Sequence, residues 1–441
     1  MDEKKSGERV LSCPLKYLLE DDSGDKLSEG KAEADLSEEA LLIKAKFGEA
    51  LYFRLRDVDD ITKGDYSWIL TLCSGEKLTL FHLGYKYDAF GETLIKLYNE
   101  LNINDLLMKE TVRLSGLTAE CTVTNEKGDL VFQGKGEPRL YDTALVLLPE
   151  NGEPLRFPYS FINRVEDNDY TLTMTTDFGE TLEFSRMGRH FEPFCESFSG
   201  VMNDLFLKVQ NILTELVPEA GPAVVRKAAK LIWEGKAVRR ADLDTVSPGL
   251  WASLEKKLES LGIRHEYDFL SSMAQQEKMC IGLKRGLVGD LTGEYVWFLI
   301  PVYSLDSKLP GNTLAMEAAA ENGGGRATYF FRITGRADYS GFSNIDELHD
   351  CVDKLIARIN RCMLDINFRR EPIYLSDDQI NEPKYLKYRY AIRKIPGLQE
   401  LRRLFIGRVF HRSPEQWEQD VMELLRFNVS ASSDEMLWSK K

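Results

Sequence analysis

Residues 48–80 read GEALYFRLRDVDDITKGDYSWILTLCSGEKLTL, and residues 152–184 read GEPLRFPYSFINRVEDNDYTLTMTTDFGETLEF. The offset is 104 residues, and it carries 9–101 onto 113–205 without a gap. Between 30–101 and 134–205, 21 of 72 positions are identical. Self-similarity of that extent at one fixed period marks a repeated structural unit. Gly48-Glu49 matches Gly152-Glu153, and Gly75-Glu76 matches Gly179-Glu180. Each dipeptide separates two short apolar runs, as hairpin turns do. Leu51 and Phe53 match Leu155 and Phe157; two apart, they share one face of a strand. Asp65-Tyr66 and Asp169-Tyr170 open a further strand in each copy.

After Gly84 and Gly188 the apolar period changes from two to about 3.6. Tyr87, Phe90, Leu94, Leu97, Tyr98 and Leu101 fall on one helical face, as do Phe191, Phe194, Phe198, Val201, Met202 and Leu205. Each unit is therefore expected to be six or seven short antiparallel strands closed by one amphipathic helix. In strand count, length and terminal helix, residues 9–205 resemble bacterial members of the pleckstrin-homology-like superfold. That resemblance implies binding of lipids, peptides or protein surfaces and does not choose among them. A phosphoinositide would need Lys and Arg converging beside the first hairpin. The turns there read Asp21-Asp22-Ser23-Gly24-Asp25 and Asn125-Glu126-Lys127-Gly128-Asp129, mostly acidic, so phosphoinositide is not the expected partner.

The second half shows no repeat. A helix continues to Val217 and is broken between Pro218 and Pro222; another runs from Ala223 to Glu234. Ser247-Pro248 opens a third, with Leu250, Leu254, Leu258 and Leu261 inward and Gly262 at its end. Strand-like runs follow at Met279–Leu283, Tyr295–Tyr303, Thr313–Ala319 and Ala327–Thr334. Leu348, Val352, Leu355, Ile356, Ile359 and Met363 make a helical stripe, and Ser413-Pro414 starts a final helix with Trp417, Val421, Leu424 and Leu425 inward. The expected fold class is α+β: two tandem PH-like barrels (9–104 and 113–216), an α+β domain with a small antiparallel sheet and flanking helices (222–428), and a flexible tail (429–441).

A formal net charge of −14 describes an acidic protein, repelled on average by nucleic acid and anionic membranes. No stretch approaches 18 apolar residues, so no transmembrane segment is expected. The start MDEKKSGERV lacks the apolar core of a signal peptide. Seven scattered cysteines with no C-x-x-C pair suit a reducing cytoplasm. Glycine-rich nucleotide loops, nucleophile elbows and zinc-helix motifs are missing, and the five histidines share no ligand spacing. No catalytic residue, metal or cofactor is therefore expected.

Two groups remain as candidate binding residues. Gly323, Gly324 and Gly325 with Arg326 separate two strand-like runs; exposed backbone N–H groups there could hold an anion, assisted by Lys284 and Arg285. The plainer alternative is a hairpin loop. Glu317 and Arg332, charged residues inside apolar strands, are expected to form a structural ion pair. The segment Lys354–Arg412 holds 14 Lys and Arg against 6 Asp and Glu, interleaved with tyrosines. Arg389, Arg393, Lys394, Arg402 and Arg403 are expected to form one basic face. An acidic protein surface, including the chain's own repeats, is its first expected target; nucleic acid is second and anionic lipid third. The functional expectation is a non-enzymatic scaffold or adaptor that binds protein partners through its tandem units. A nucleotide- or anion-binding module or enzyme in residues 263–340 is the alternative, beside nucleic-acid binding by the basic segment.

Overall fold

The computed structural model describes residues 8–46, 48–106, 110–150, 152–285, 294–306, 308–320, 327–430, 434 and 437–438. The first unit comprises β1 (Arg9–Glu20), β2 (Lys26–Ser37), β3 (Ala40–Ala45), β4 (Leu51–Arg54), β5 (Val58–Gly64), β6 (Ser67–Leu72), β7 (Lys77–Phe81) and helix α1 (Tyr87–Asp105). Its strands lie in the order β4-β3-β2-β1-β7-β6-β5. The second unit comprises β8 (Val112–Leu114), β9 (Ala119–Thr124), β10 (Leu130–Tyr141), β11 (Ala144–Pro149), β12 (Leu155–Pro158), β13 (Ile162–Asn168), β14 (Thr171–Thr176), β15 (Thr181–Ser185) and α2 (Phe191–Leu216). Its order is β12-β11-β10-β9-β15-β14-β13, with β8 added against β10. Apart from β8, whose pairing is one residue out of step with the start of β1, the pairing registers coincide under the 104-residue shift. Trp68 faces Leu80 as Leu172 faces Phe184, and Leu41 faces Phe53 as Leu145 faces Phe157. Even the irregularity after Val58 recurs after Ile162.

Alternating side chains of each sheet meet the apolar stripe of its closing helix. Trp68, Leu70, Leu78 and Leu80 pack with Phe90, Leu94 and Tyr98, and Leu172, Met174, Leu182 and Phe184 with Phe194, Phe198 and Val201. Phe90 and Phe194 are both fully buried. Among the differences between the two cores, one involves two matched positions that touch each other. Trp68 lies so close to α1 that a Cβ on Gly91 would sit 1.9 Å from its ring. The second copy has Leu172 and Cys195 at those positions.

The third unit runs α3 (Pro222–Leu231), β16 (Ala237–Arg239), α4 (Arg240–Asp244), α5 (Pro248–Ser260), α6 (Arg264–Ser271), β17 (Cys280–Arg285), β18 (Glu294–Val302), β19 (Thr313–Ala320), β20 (Ala327–Arg332) and α7 (Arg336–Gly341). It continues through α8 (Ile345–Asp365), α9 (Glu371–Tyr374), α10 (Asp377–Ile380), α11 (Arg389–Lys394), α12 (Pro396–Leu404), β21 (Phe405–Phe410) and α13 (Pro414–Ser430). Its six strands form an antiparallel meander in chain order. Helices cover both faces, which is why β18 and β19 read as continuous apolar runs. Trp297, Leu299 and Met316 pack with Leu355, Ile359 and Met363 of α8. Phe298, Ile300 and Ala315 pack with Trp251, Tyr267 and Trp417 on the other side. The class is α+β.

The second and third units share a core. All six residues of β11 are buried. Leu145 and Leu147 point into the second sheet's own core, whereas Ala144, Val146 and Leu148 join the core that surrounds α8. The matching strand β3 alternates normally and exposes Lys44 where the second copy has Leu148.

Three expectations need correction. Glu317 and Arg332 do not pair with each other. Glu317 faces Phe298 on one neighbouring strand, whereas Arg332 faces Thr313. Glu317, fully buried, accepts from Thr328 Oγ1 at 2.6 Å and lies 2.9 Å from His411 Nε2. Arg332 donates to Asn428 Oδ1 at 2.9 Å and pairs with Asp434 at 3.4 Å. The tail is not free where it is described: Trp438 N–H donates to Ile406 O at 2.8 Å, covering part of end strand β21. Strands β16 and β21 were not expected; both are end strands that pair with sequence-distant neighbours.

The matched core pairs yield a double-mutant test. Gly91→Cys should destabilise the protein by about 1–3 kcal/mol through overpacking, and the same change on a Trp68→Leu background should cost at least about 1 kcal/mol less. Urea midpoints for the four proteins measure this; additive losses would mean the positions do not interact. His411 sets a second expectation. Burial opposes its charged form, but Glu317, by hydrogen bond and charge, and then Glu266 outweigh burial and raise its pKa. A folded-state pKa raised above the unfolded value gives stability that is full below about pH 6.5 and is lost as pH climbs through the raised value. Melting temperature of the native protein should therefore fall relative to His411→Gln between pH 6 and pH 9; parallel profiles would deny the charged pair.

Candidate functional site

Lys284 and Arg285 are neighbours on β17 and so project to opposite faces of the sheet. The Lys284 ammonium is buried, 3.4 Å from Asn367 Oδ1 and 5.5 Å from the Phe368 ring centre. Burial pushes its pKa down, against the charges of Glu234 and Glu110. Arg285 pairs with Glu215 at 2.6 Å. The two cations therefore do not converge on one anion site, and Gly323, Gly324, Gly325 and Arg326 lie outside the described residues.

The five cations expected to form one face divide into two sets. Arg389 pairs with Asp57 and Arg393 with Asp59 of the first unit. Lys394 reaches Asp59 at 3.2 Å and Glu153 of the second unit at 2.7 Å. Arg402 instead donates to Pro372 O at 2.7 Å and pairs with Asp377 at 3.3 Å, while Arg403 is exposed beside Glu400 at 3.8 Å. The division has a backbone cause. Ile395 precedes Pro396 and is extended, ending α11 and restarting the chain as α12 in a new direction. Burial works against ionisation of Asp59, but Arg393 and Lys394 outweigh it and hold its carboxyl below the usual value. The first set thus docks the third unit on the repeats.

The first unit leaves a groove open, and the second unit repeats the backbone that frames it. In the first unit a cavity of about 430 Å³ is lined by Asp65, Tyr66, Phe81, His82, Leu83, Gly84 and Tyr87. Tyr66 forms its lip; at φ 51° it occupies the left-handed turn between β5 and β6 and is 85% exposed. Tyr87 supports it, with ring centres 6.4 Å apart, and stacks in turn on Trp68 at 5.5 Å. The second unit repeats the backbone at Tyr170 (φ 57°, 70% exposed), with Phe191 beneath it at 5.6 Å. His82 and Arg186 share left-handed conformations near φ 59° and 56°, as do Gly84 and Gly188. Each tyrosine turn adjoins an end strand of its sheet, β5 or β13. A left-handed non-glycine residue is held there by its surroundings at some cost, and here four such sites recur in matched pairs.

The side chains around the two turns differ: His82 in the first unit stands where the second has Arg186. Tyr85, 94% exposed, and Lys86 follow Gly84, whereas Arg189 and His190 follow Gly188. The two turns therefore share a backbone conformation and differ in the side chains beside it. The repeat pairing of Tyr66 with Tyr170 was legible in the sequence, but their exposure was not, because it depends on the turn conformation. Among the described residues no group of three or more His, Cys, Asp or Glu is arranged to hold a metal ion, and no helix is long and apolar enough to cross a membrane.

No protein-family model matches the chain, and no curated protein does. Among solved structures it is similar to a chain in the structure of the Spt16D Pob3N heterodimer, at 12% identity and a TM-score of 0.17, covering 38% of this chain and 85% of that one. The fold described above rests on strand order and register alone.

The docking set can be tested by charge. Arg393→Glu with Lys394→Glu should detach α11 from the first unit and raise the radius of gyration in X-ray scattering at about 0.15 M salt, where screening acts beyond about 8 Å. Adding Asp59→Lys and Glu153→Lys should restore compactness. An unchanged radius in the first variant would show that apolar contacts hold the units together.

Proposed function

We propose that the chain is a non-enzymatic cytoplasmic scaffold that binds protein partners bivalently through two PH-like domains. The observation that carries this reading is the matched pair of exposed tyrosines, Tyr66 and Tyr170, on equivalent left-handed turns beside end strands. A large exposed aromatic ring on a rigid turn suits the centre of a protein interface, where Tyr is over-represented among the residues that dominate binding. An end strand supplies main-chain donors and acceptors to an extended peptide. Two such sites on one chain make the second contact intramolecular, so avidity can exceed single-site affinity by about 10²–10⁴. Their different side chains suit a partner with two non-identical segments.

The basic segment fits this reading as an internal brace. Arg389, Arg393 and Lys394 are engaged by Asp57, Asp59 and Glu153, which removes them from the cations a nucleic acid would need.

The test is quantitative recovery of native-cell partners by wild type, Tyr66→Ser, Tyr170→Ser and the double variant. Either single change should weaken retention about 100-fold or more by removing avidity, and the double change should abolish it. Melting temperatures should stay nearly constant, since both side chains are exposed. Undiminished recovery by the double variant would overturn the proposal.

A further inference from the structure

The cations of the basic segment that dock or pair with carboxylates leave a remainder of six, and four of these converge. Arg369, Arg370, Lys387 and Arg408 line one cavity of about 480 Å³ at the β20–β21 end of the third sheet. Glu371 is the one carboxylate among its lining residues, and the walls include Tyr329, Tyr374 and Tyr388. Elsewhere in the segment Arg358, Arg361, Lys384, Arg389, Arg393, Lys394, Arg402 and Arg403 each lie within ion-pair distance of a carboxylate. Among the described residues no such pair involves the four cations of the cavity. In a chain of net charge −14, four cations gathered in a concave site without that compensation select for an anion.

The cavity is built rather than incidental. Asn367 and Phe368, at φ 50° and 60°, are consecutive left-handed residues that end α8 and turn the chain toward Arg369 and Arg370. Backbone held this way in non-glycine residues is a recurrent mark of ligand sites. Arg369 is nine-tenths buried and lines the cavity together with Tyr388. Arg370 donates to Ala318 O at 3.1 Å and lies 5.6 Å from the Tyr329 ring centre. Arg408 lies 3.8 Å from the Tyr374 ring centre and 4.6 Å from that of Phe410, and Lys387 lies 5.0 Å from Tyr388.

These contacts also narrow the ligand. The faces of Tyr329, Tyr374 and Tyr388 already carry cations, so they orient guanidinium and ammonium groups instead of offering planes for a base. Three guanidinium forks match the bidentate geometry of phosphate oxygens, and the volume lies in the range of small-molecule sites. We propose that this cavity binds a soluble oligophosphate group, recognised through its phosphates and not through an attached ring. The inference is independent of the scaffold reading, which rests on the other two units.

Titration calorimetry of the full-length protein with tripolyphosphate at about 0.15 M salt tests it, with pyrophosphate, adenosine triphosphate and sulfate at matched ionic strength as comparisons. Saturable one-site binding of tripolyphosphate is expected, with sulfate at least tenfold weaker. Arg370→Gln and Arg408→Gln should each weaken it tenfold or more while circular dichroism stays native, and Arg408→Lys should restore less than the full affinity. Arg403→Gln, outside the cavity, should bind as wild type does. Absence of saturable binding at millimolar tripolyphosphate, or an equal loss in Arg403→Gln, would overturn the site. Binding of adenosine triphosphate tenfold tighter than tripolyphosphate would overturn the ligand class in favour of a nucleotide.

Discussion

Strand β11 is buried on both faces, and the arrangement of the whole chain depends on that. A strand in a free-standing sheet of this kind alternates, one face to the core and one to water. In β11 the outward set, Ala144, Val146 and Leu148, is packed into the core around α8. At roughly 25 cal/mol per Å² of apolar area, sealing such a face is favourable and non-directional. It attaches the second unit to the third without fixing the angle between them.

Polar contacts fix the angle. Arg156, on the adjacent strand β12, donates to Leu364 O at 2.8 Å and Asp365 O at 2.6 Å, the carbonyl end of α8. A cation at that end satisfies unpaired carbonyls and complements the helix dipole. Glu110, buried, lies 3.3 Å from Arg156 and also accepts from Thr143 N–H at 2.9 Å. Such a buried pair adds little net stability, yet it penalises any orientation that separates it. Ser160 donating to Glu234 O at 2.9 Å, Lys236 with Asp177 at 2.5 Å and Arg361 with Glu180 at 2.7 Å extend the same junction. The first unit lacks this anchor, since Tyr52 stands where the second has Arg156 and is exposed. It is held through the cations of α11, through Arg139 with Glu100 at 2.9 Å, and through Ile103, which joins the core around α8.

How much of this could be read from residues depended on range. Turns at Gly75-Glu76 and Gly179-Glu180, the alternation around Trp68 and Leu172, and the helical stripes through Phe90 and Phe194 are local patterns, and they appear where expected. The stripe of α8 and the capped start of α13 were equally legible. Strands β16 and β21 were not, because a short end strand owes its conformation to a partner distant in sequence. The surroundings of Glu317 were hidden for the same reason: His411 lies 94 residues away, and nothing in LAMEAAA points to it. Charge counting found an excess over Lys354–Arg412 but could not see that Pro396 divides it. One asymmetry was in plain view. Lys44 against Leu148, within otherwise similar strands, shows which copy has a buried outer face.

Two adjacent sheets with the same strand order and register face a hazard while the chain is being made. A helix from one can close over the sheet of the other, and tandem repeats are prone to that misassembly. The Trp68 and Gly91 pair works against it. The Trp68 indole fills a space that only a residue without Cβ leaves on the closing helix, and the second helix carries Cys195 at that position. Crossing the helices would overfill one core and leave a hollow in the other. The mismatch thus acts as a proofreading device: each closing helix recognises its own sheet by volume, and a duplicated domain remains two domains instead of a tangle.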